Sequence, residues 1–548
     1  MNRQAEMPAC INLGGNMNFD NKLITLIIIS FNIFCYSQFS GGSGTEENPY
    51  HIATPDDLNN IRYYLTSSFI QTADIDLGVA PWNEGEGWDP IGDYDWSNPN
   101  LSFRGNYDGN GYSILNLCIN RTIGSDLGLF ASTQETKIQN IYLKNVLIVS
   151  NGTAIGGITG ISSNSDNMLK CNVEGSVKGD SEIGLLAGFF VGTSIKDCHV
   201  KGEIYSYGNY IGGLVGLCGA DSVINCSAEV TITNNQPKNN NLFKVGGLIG
   251  FSDETKLIRD CYSKINIVAQ NGNLVGGLIG SLSTSFNNVL LMDCFSEGFV
   301  YLNTDSIASG FGGLIAGVSG QSNFGVISMI KNCYSSVDVT GNDIVGGFIG
   351  RAIENVNIEN CYSSGQVNGN TNVGGFIGNI EDPASVTVTN SYWDMETSGI
   401  DSSAAGEGRT TAEMTLPYSG NTYVGWNFIN VWRDDTANQN NGYPTFLWVS
   451  GIEEAEDYIL PETSRLYQNY PNPFNPVTQI KFDLAKAGIV KLSVYNINGQ
   501  KVAELLNGIQ NAGIHTIEFD GSNLNSGVYY YTLKTDGNIL IRKMLIVK

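Results

Sequence analysis

Six residues, Val275-Gly276-Gly277-Leu278-Ile279-Gly280, recur along more than half of the chain, and that recurrence limits the fold more than any other feature. The first glycine of successive copies stands at 128, 156, 184, 212, 246, 276, 312, 346 and 374, in steps of 28, 28, 28, 34, 30, 36, 34 and 28 residues. A base period of 28 with loop insertions accounts for every step. A second column runs in phase with the first: Cys171, Cys198, Cys226, Cys261, Cys294, Cys333 and Cys361, with Ile141 before it and Ser391 after it. Each cysteine follows Asp or Asn except Cys171, which follows Lys170, and an apolar residue stands three positions ahead, as Ile258 does for Cys261. An apolar residue, an Asx that tolerates unusual backbone angles, then a small buried residue make a coil corner.

Units of this length bury an apolar face only by stacking on their neighbours, which predicts an all-β solenoid. A coil of 28 residues accommodates three short strands and three turns. About nine such coils at roughly 4.8 Å each give a shaft on the order of 40 Å long. The period is too short for a propeller blade. Gly-Gly inside a strand pattern reads as a bend or a close backbone approach. Val275 and Leu278 are both apolar but of opposite parity, so the pattern alone leaves open which side of the bend faces the core.

Composition agrees with strands and turns: 66 glycines accompany a 42% hydrophobic fraction in 548 residues. With 29 Lys+Arg against 53 Asp+Glu the net charge is −24, which excludes nucleic-acid binding by charge. Residues 1–16 carry no pattern. Met17 opens a better start, with Lys22, an apolar run over residues 23–34, and small Cys35 and Ser37 ahead of a cut before Gln38. That is a secretory signal peptide, too short in its apolar run for a span of roughly 20 residues. Bulky Phe34 argues against lipoprotein processing at Cys35. No later stretch is apolar enough to span a bilayer, so the mature chain is expected to have no transmembrane span.

Export exposes the cysteines to oxidants. A stacked column would project its thiols in parallel, however, which is poor geometry for disulfides and predicts buried free thiols. Cys118 and Cys218 lie outside the column.

Residues 38–117 read as an N-terminal cap with first strands, including a short helix near residues 56–65 opened by Pro55. The turn-rich run 103–111 leads into an early strand at residues 114–119. Residues 118–392 form the repeat shaft. Over residues 393–450, Trp393, Trp426, Trp432 and Trp448, with Tyr392, Tyr423 and Tyr443 around them, read as a cap over the last coil, or as a sugar-stacking platform. Residues 451–464 form an acidic linker, and residues 465–548 a small antiparallel β-sandwich with strands near 478–484, 490–495, 514–519, 527–534 and 539–547.

The cores Gly213-Leu214-Val215-Gly216 and Gly277-Leu278-Ile279-Gly280 resemble the GLUG-repeat family of secreted bacterial proteins over roughly residues 41–448. That resemblance implies a right-handed parallel β-helix, with no ligand assigned in most members. Tyr470-Pro471-Asn472-Pro473-Phe474-Asn475-Pro476, Asn498-Gly499-Gln500, Gly527-Val528-Tyr529 and the closing Lys543-Met544-Leu545-Ile546-Val547-Lys548 closely resemble the type IX secretion C-terminal sorting domain. It implies that Pro471, Asn472, Pro473, Gly499, Gly527, Tyr529, Lys543 and Lys548 belong to a sorting signal. The machinery of that system is then a partner, and the chain is secreted or displayed at the outer-membrane surface.

Some GLUG-containing proteins are immunoglobulin-cleaving zinc peptidases, which need a His-Glu-x-x-His helix. This chain has only His51, His199 and His515, none near another, so that chemistry is not expected. His199 follows Cys198 where Tyr262, Tyr334 and Tyr362 follow theirs, which makes it a coil residue. Asp89, Asp93 and Asp95 form the one local acidic cluster, a candidate calcium loop without a recognised spacing, whose plainer reading is a solvated loop tied by Trp88 and Trp96. No other cofactor is expected, and no catalytic residue is assigned. The sequence therefore predicts an adhesin-like β-helix with a glycan or host or matrix protein as ligand. The alternative is a polysaccharide lyase or hydrolase, recognisable by a groove of converging carboxylates and a basic residue.

Overall fold

The computed structural model describes residues 38–95, 97–235, 243–270, 274–302, 309–451, 464–469, 472–484, 488–510, 513–535 and 539–547. The signal peptide read at residues 17–37, Trp96, Pro471, Lys548 and most of the acidic linker lie outside them.

From the Gly212 copy onward each repeat folds into one coil of four strands, and in the three earlier copies the first strand shrinks to a single bridge, as between Leu127 and Ile155. In the coil around Gly246 the four strands are Val245–Gly246, Ile249–Asp253, Leu257–Arg259 and Tyr262–Ala269. Each strand pairs in parallel with its counterpart one repeat later. Stacking extends these pairs into sheets of 6, 9, 12 and 14 strands, a parallel β-solenoid of about nine turns.

The repeat signature is the bend between the first two strands. Val245, Leu248 and Ile249 are all fully buried, so the Gly-Gly step reverses side-chain parity and both apolar flanks enter the core. Glycine is obligatory because coils meet there backbone to backbone: a Cβ on Gly247 would stand 2.1 Å from the Gly277 carbonyl oxygen. Buried serines reinforce the contact, with the Ser263 hydroxyl donating to the Gly277 carbonyl and Ser296 to that of Gly313, at 2.9 and 2.7 Å.

The corner before each cysteine is a left-handed residue, with φ of 52° at Asp197, 51° at Asn225, 54° at Asp260 and Asp293, 50° at Asn332 and 56° at Asn360. Lys170 adopts the same conformation at 53°. The seven column cysteines are buried and free, and burial pushes the Cys171, Cys226, Cys294 and Cys361 thiols well up. The Cys171 backbone N–H donates to Cys198 Sγ at 3.4 Å, and Cys226 to Cys261 Sγ likewise, so the sulfurs join the stacking hydrogen bonds.

The solenoid starts early. Strands Tyr50–Ile52, Ser68–Gln71 and Asn106–Asp108 are the first three of the 12-stranded sheet, so residues 38–117 coil as well as close the end. The helix Pro55–Asn60 is opened by Thr54 and Asp57 in a capping box, with proline at its first position.

The C-terminal end differs from the expected cap. The last coil is closed by residues 394–409: Glu407–Arg409 pairs in parallel with Tyr392–Asp394, and Trp393 packs where a Cβ on Gly375 would lie. The remaining aromatics form a strap running back along the outside of the shaft. Its reason is the column one place after the cysteines, where Tyr262, Phe295, Tyr334 and Tyr362 stack outward with centroids 5.1, 4.8 and 5.0 Å apart. Trp426 and Trp432 lie on Tyr362, Phe446 on Tyr334 and Trp448 on Phe295, so the strap covers apolar surface that the shaft leaves outside. Buried Asp394 locks it, accepting from Tyr443 Oη, Thr411 Oγ1 and the Glu396 and Thr397 amides.

The C-terminal segment forms two antiparallel sheets, one of three strands and one of four. Its strands include the five expected ones and add two, Arg465–Leu466, which pairs with Val477–Leu484, and Lys501–Gln510, which pairs with Gly488–Asn496.

Candidate functional site

The long strand of each coil turns alternate residues outward, and parallel register lines them up in columns. Three places after the cysteines stands Glu174-Lys201-Glu229-Lys264-Glu297, one charge per coil with the sign alternating at every step. Lys201 Nζ lies 3.6 Å from Glu229 Oε2. Beside this column the chain bends at Gly202 and Gly298, with φ of +149° and +115°. A Cβ at either would fall within 2 Å of the previous coil's carbonyl oxygen, at 1.8 and 1.9 Å. A trough of about 540 Å³ lies along this column, floored by Gly202, Val230, Ile265 and Gly298 and lined by Lys201, Glu203, Glu229, Thr231, Lys264, Asn266 and Glu297. Half-exposed Tyr205 donates its hydroxyl to Glu203, a residue of the lining, at 2.9 Å.

Burial holds the Glu297 carboxyl above the usual range, with Lys264 opposing and Glu229 adding to the shift. Glu297 shares its strand with Phe295, which lies beneath Trp448, so the strap and the trough adjoin. On a molecule of net charge −24 this face is locally balanced and rich in donors and acceptors of both signs. This column lies beyond the corner positions, up to one after each cysteine, that the repeat makes conspicuous. Its signal was nonetheless present, as a charge of alternating sign at cysteine plus three from Cys171 to Cys294.

The other candidate residues fall elsewhere. Asp89 is paired with Arg62 at 2.9 Å and Arg121 at 2.7 Å. Asp93 accepts from the Tyr94 amide, and Asp95 from the Ser97 amide and hydroxyl, each closing its own turn. Among the described residues no three His, Cys, Asp or Glu side chains gather to hold a metal ion. Trp88 is buried, its indole donating to the Leu129 carbonyl at 3.1 Å. His199 sits in the aromatic column's register, its Nδ1 2.8 Å from Ser227 Oγ.

In the C-terminal segment the motif and the last strand pack on each other. Asn472 Oδ1 accepts from the Leu545 amide at 2.8 Å, and Phe474 exchanges backbone bonds with Leu545 and Val547. Pro473 is exposed beside it. Gly499 turns at φ +74°, Gly527 pairs with Ile546, the Tyr529 hydroxyl donates to the Asn525 carbonyl, and Lys543 pairs with Tyr530.

Comparison with known proteins agrees with both parts. Residues 468–548 match the secretion system C-terminal sorting domain, and residues 207–233 match the GLUG motif. A putative Gly-rich membrane protein of Evansella cellulosilytica is 42% identical over 129 residues, 23% of this chain and 14% of that protein. Halomucin of Haloquadratum walsbyi is 32% identical over 154 residues, 27% of this chain and 2% of its own length. An immunoglobulin A1 protease of Streptococcus sanguinis is 32% identical over 181 residues, 31% of this chain and 9% of the protease. The chain thus spans a small part of each relative. It carries GLUG repeats and a type IX sorting domain, and that domain marks it for export to the cell surface or beyond. Among the described residues no helix is long and apolar enough to cross a membrane.

Proposed function

We propose that this exported solenoid is an adhesin-like binding protein whose trough holds an extended ligand, a host or matrix protein segment or a glycan, laid across successive coils. The observation that carries this reading is the contrast between neighbouring columns on one face. The strap seals the aromatic column, while the charge-alternating column beside it stays open. A ligand crossing the trough meets Lys201, Glu229, Lys264 and Glu297 in turn, so it is selected by matching charge and hydrogen-bonding pattern over apolar area. The sorting signal, with Asn472 and Lys543 in paired segments, delivers this surface outside through the type IX machinery.

The test is an array of glycans and extracellular matrix proteins probed with the full chain and with its Lys201→Glu/Lys264→Glu variant. Ligands bound by the wild type and lost by the variant support the reading. An array on which the wild type binds no ligand that the variant loses refutes it.

A second reading, polysaccharide cleavage, draws on the raised Glu297 carboxyl beside the Lys264 side chain in one trough. It requires new reducing ends, or 235 nm absorbance from unsaturated uronates, when the chain is incubated with polysaccharides, and their loss in Glu297→Gln.

A further inference from the structure

Two adjacent coils carry longer turns between their second and third strands. Neighbouring coils cross this corner with residues 254–256 and 353–355, but here residues 284–288 and 320–327 intervene. Each long turn lifts one phenylalanine into solvent: Phe286 is 76% exposed, Phe324 is 67% exposed, and their ring centroids lie 6.1 Å apart.

These rings are held in place. The Glu254 carboxylate accepts from the amides of Ser285, Phe286 and Asn287, from Asn287 Nδ2 and from Thr284 Oγ1. The second turn closes on itself, with Gln321 and Val326 exchanging backbone bonds at 3.0 and 3.1 Å. The Ile327 amide donates to Asn288 Oδ1 at 2.9 Å, joining one turn to the other. Fixing two large apolar rings in water sacrifices burial that either could gain by folding back, so an ordered exposed pair marks a contact surface.

The chemistry around the rings narrows the partner. Residues 284–288 and 320–327 contain no ionisable side chain, although the whole chain carries −24. The turns themselves carry amide and hydroxyl side chains beside the rings in sequence, Ser285, Asn287, Asn288, Gln321 and Asn323, and the Glu254 carboxylate that contacts them is taken up by the turn's own amides. Flat apolar rings flanked by neutral donors and acceptors match a pyranose, which presents C–H groups on its faces and hydroxyls at its rim.

We propose that Phe286 and Phe324 form a stacking site for a neutral polysaccharide, separate from the trough. In native gels containing uncharged polysaccharides (mannan, dextran, hydroxyethylcellulose, xyloglucan), the full chain is retarded by at least one of them. Phe286→Ala and Phe324→Ala each weaken that retardation about tenfold, and the Lys201→Glu/Lys264→Glu variant keeps it. Both alanine variants melt with the wild type, since the rings they remove are exposed, so loss of retardation is not loss of fold. Absence of retardation in all four gels, retardation that survives both alanine substitutions, or capture of the chain by phosphatidylcholine vesicles through these two rings overturns the proposal. The trough reading is untouched by any of these results.

Discussion

Gly247→Ala is the most informative single substitution in the shaft, because the two explanations of the glycine predict opposite signs. A glycine kept merely for flexibility would yield stability on replacement, about 0.4–1 kcal/mol from the reduced entropy of the unfolded chain. The stacked coils predict a loss. The new methyl would stand 2.1 Å from the Gly277 oxygen, 2.4 Å from Ile265 Cγ2 and 2.9 Å from Ser263 Cβ. Relieving the first contact moves backbone by about 1 Å, and overpacking of this kind costs about 1–3 kcal/mol. The same movement lengthens the bonds from the Gly247 amide to Gly277 and from Leu248 to Leu278, both 2.9 Å, at about 1 kcal/mol each. The sum is about 3–5 kcal/mol. Urea unfolding of the full chain followed by circular dichroism should show the shaft transition at lower denaturant with its slope retained. Gly420→Ala, where a Cβ meets nothing within 4 Å, should fall within about 0.5 kcal/mol of the wild type. A Gly247→Ala shaft as stable as the wild type, or more so, would refute backbone-to-backbone stacking as the reason for the repeat.

Other consequences follow from the same geometry. Alkylation of the denatured, unreduced chain should label the seven column cysteines, and finding them as disulfides would contradict the buried free-thiol column. Burial raises Asp293 to about 6, with Asn332 and Arg259 opposing and Cys333 and Asp260 adding, so its stabilising contribution is complete below about 4 and lost as pH rises through about 6. Asp293→Asn, which preserves acceptance from Asn332, should therefore stabilise by about 1–2 kcal/mol at pH 8 after allowance for solvent screening, and by nothing at pH 4. Equal shifts at both pH values would remove the carboxylate as the cause. Deleting residues 465–548 should leave a folded shaft in the periplasm of a host with type IX machinery, and normal amounts of the truncated chain at the surface would overturn the sorting role.

Much of this architecture was legible because a solenoid writes each coil in nearly the same letters. The glycine signature, the Asx corners and the cysteine column located the bends, and the left-handed backbone at Asp197 through Asn360 is what Asx tolerates. A second left-handed column could not be seen, because Ala154, Glu182, Tyr210, Leu274 and Ile344 share no chemistry and are forced into it by the stacking of their neighbours. The strap was misplaced for a related reason: it carries no repeat, and its position is set by a ring column whose members are spread over five coils. Strand Lys501–Gln510 escaped because Leu505 and Leu506 break the alternation that marked its neighbours. Within the trough the charges were visible singly, but their adjacency exists only once the register brings Glu174 to Glu297 side by side.

The open trough, and not the strap or the sorting domain, should be what meets the ligand. Hydrogen exchange read by mass spectrometry, on the full chain with and without the ligand selected by the array, tests it most directly. Peptides covering residues 201–203, 229–231, 264–266 and 297–298 should slow on binding, while those of the strap and of residues 465–548 keep their rates. Protection confined to the strap or to the sorting domain, with the trough peptides unchanged, would contradict it.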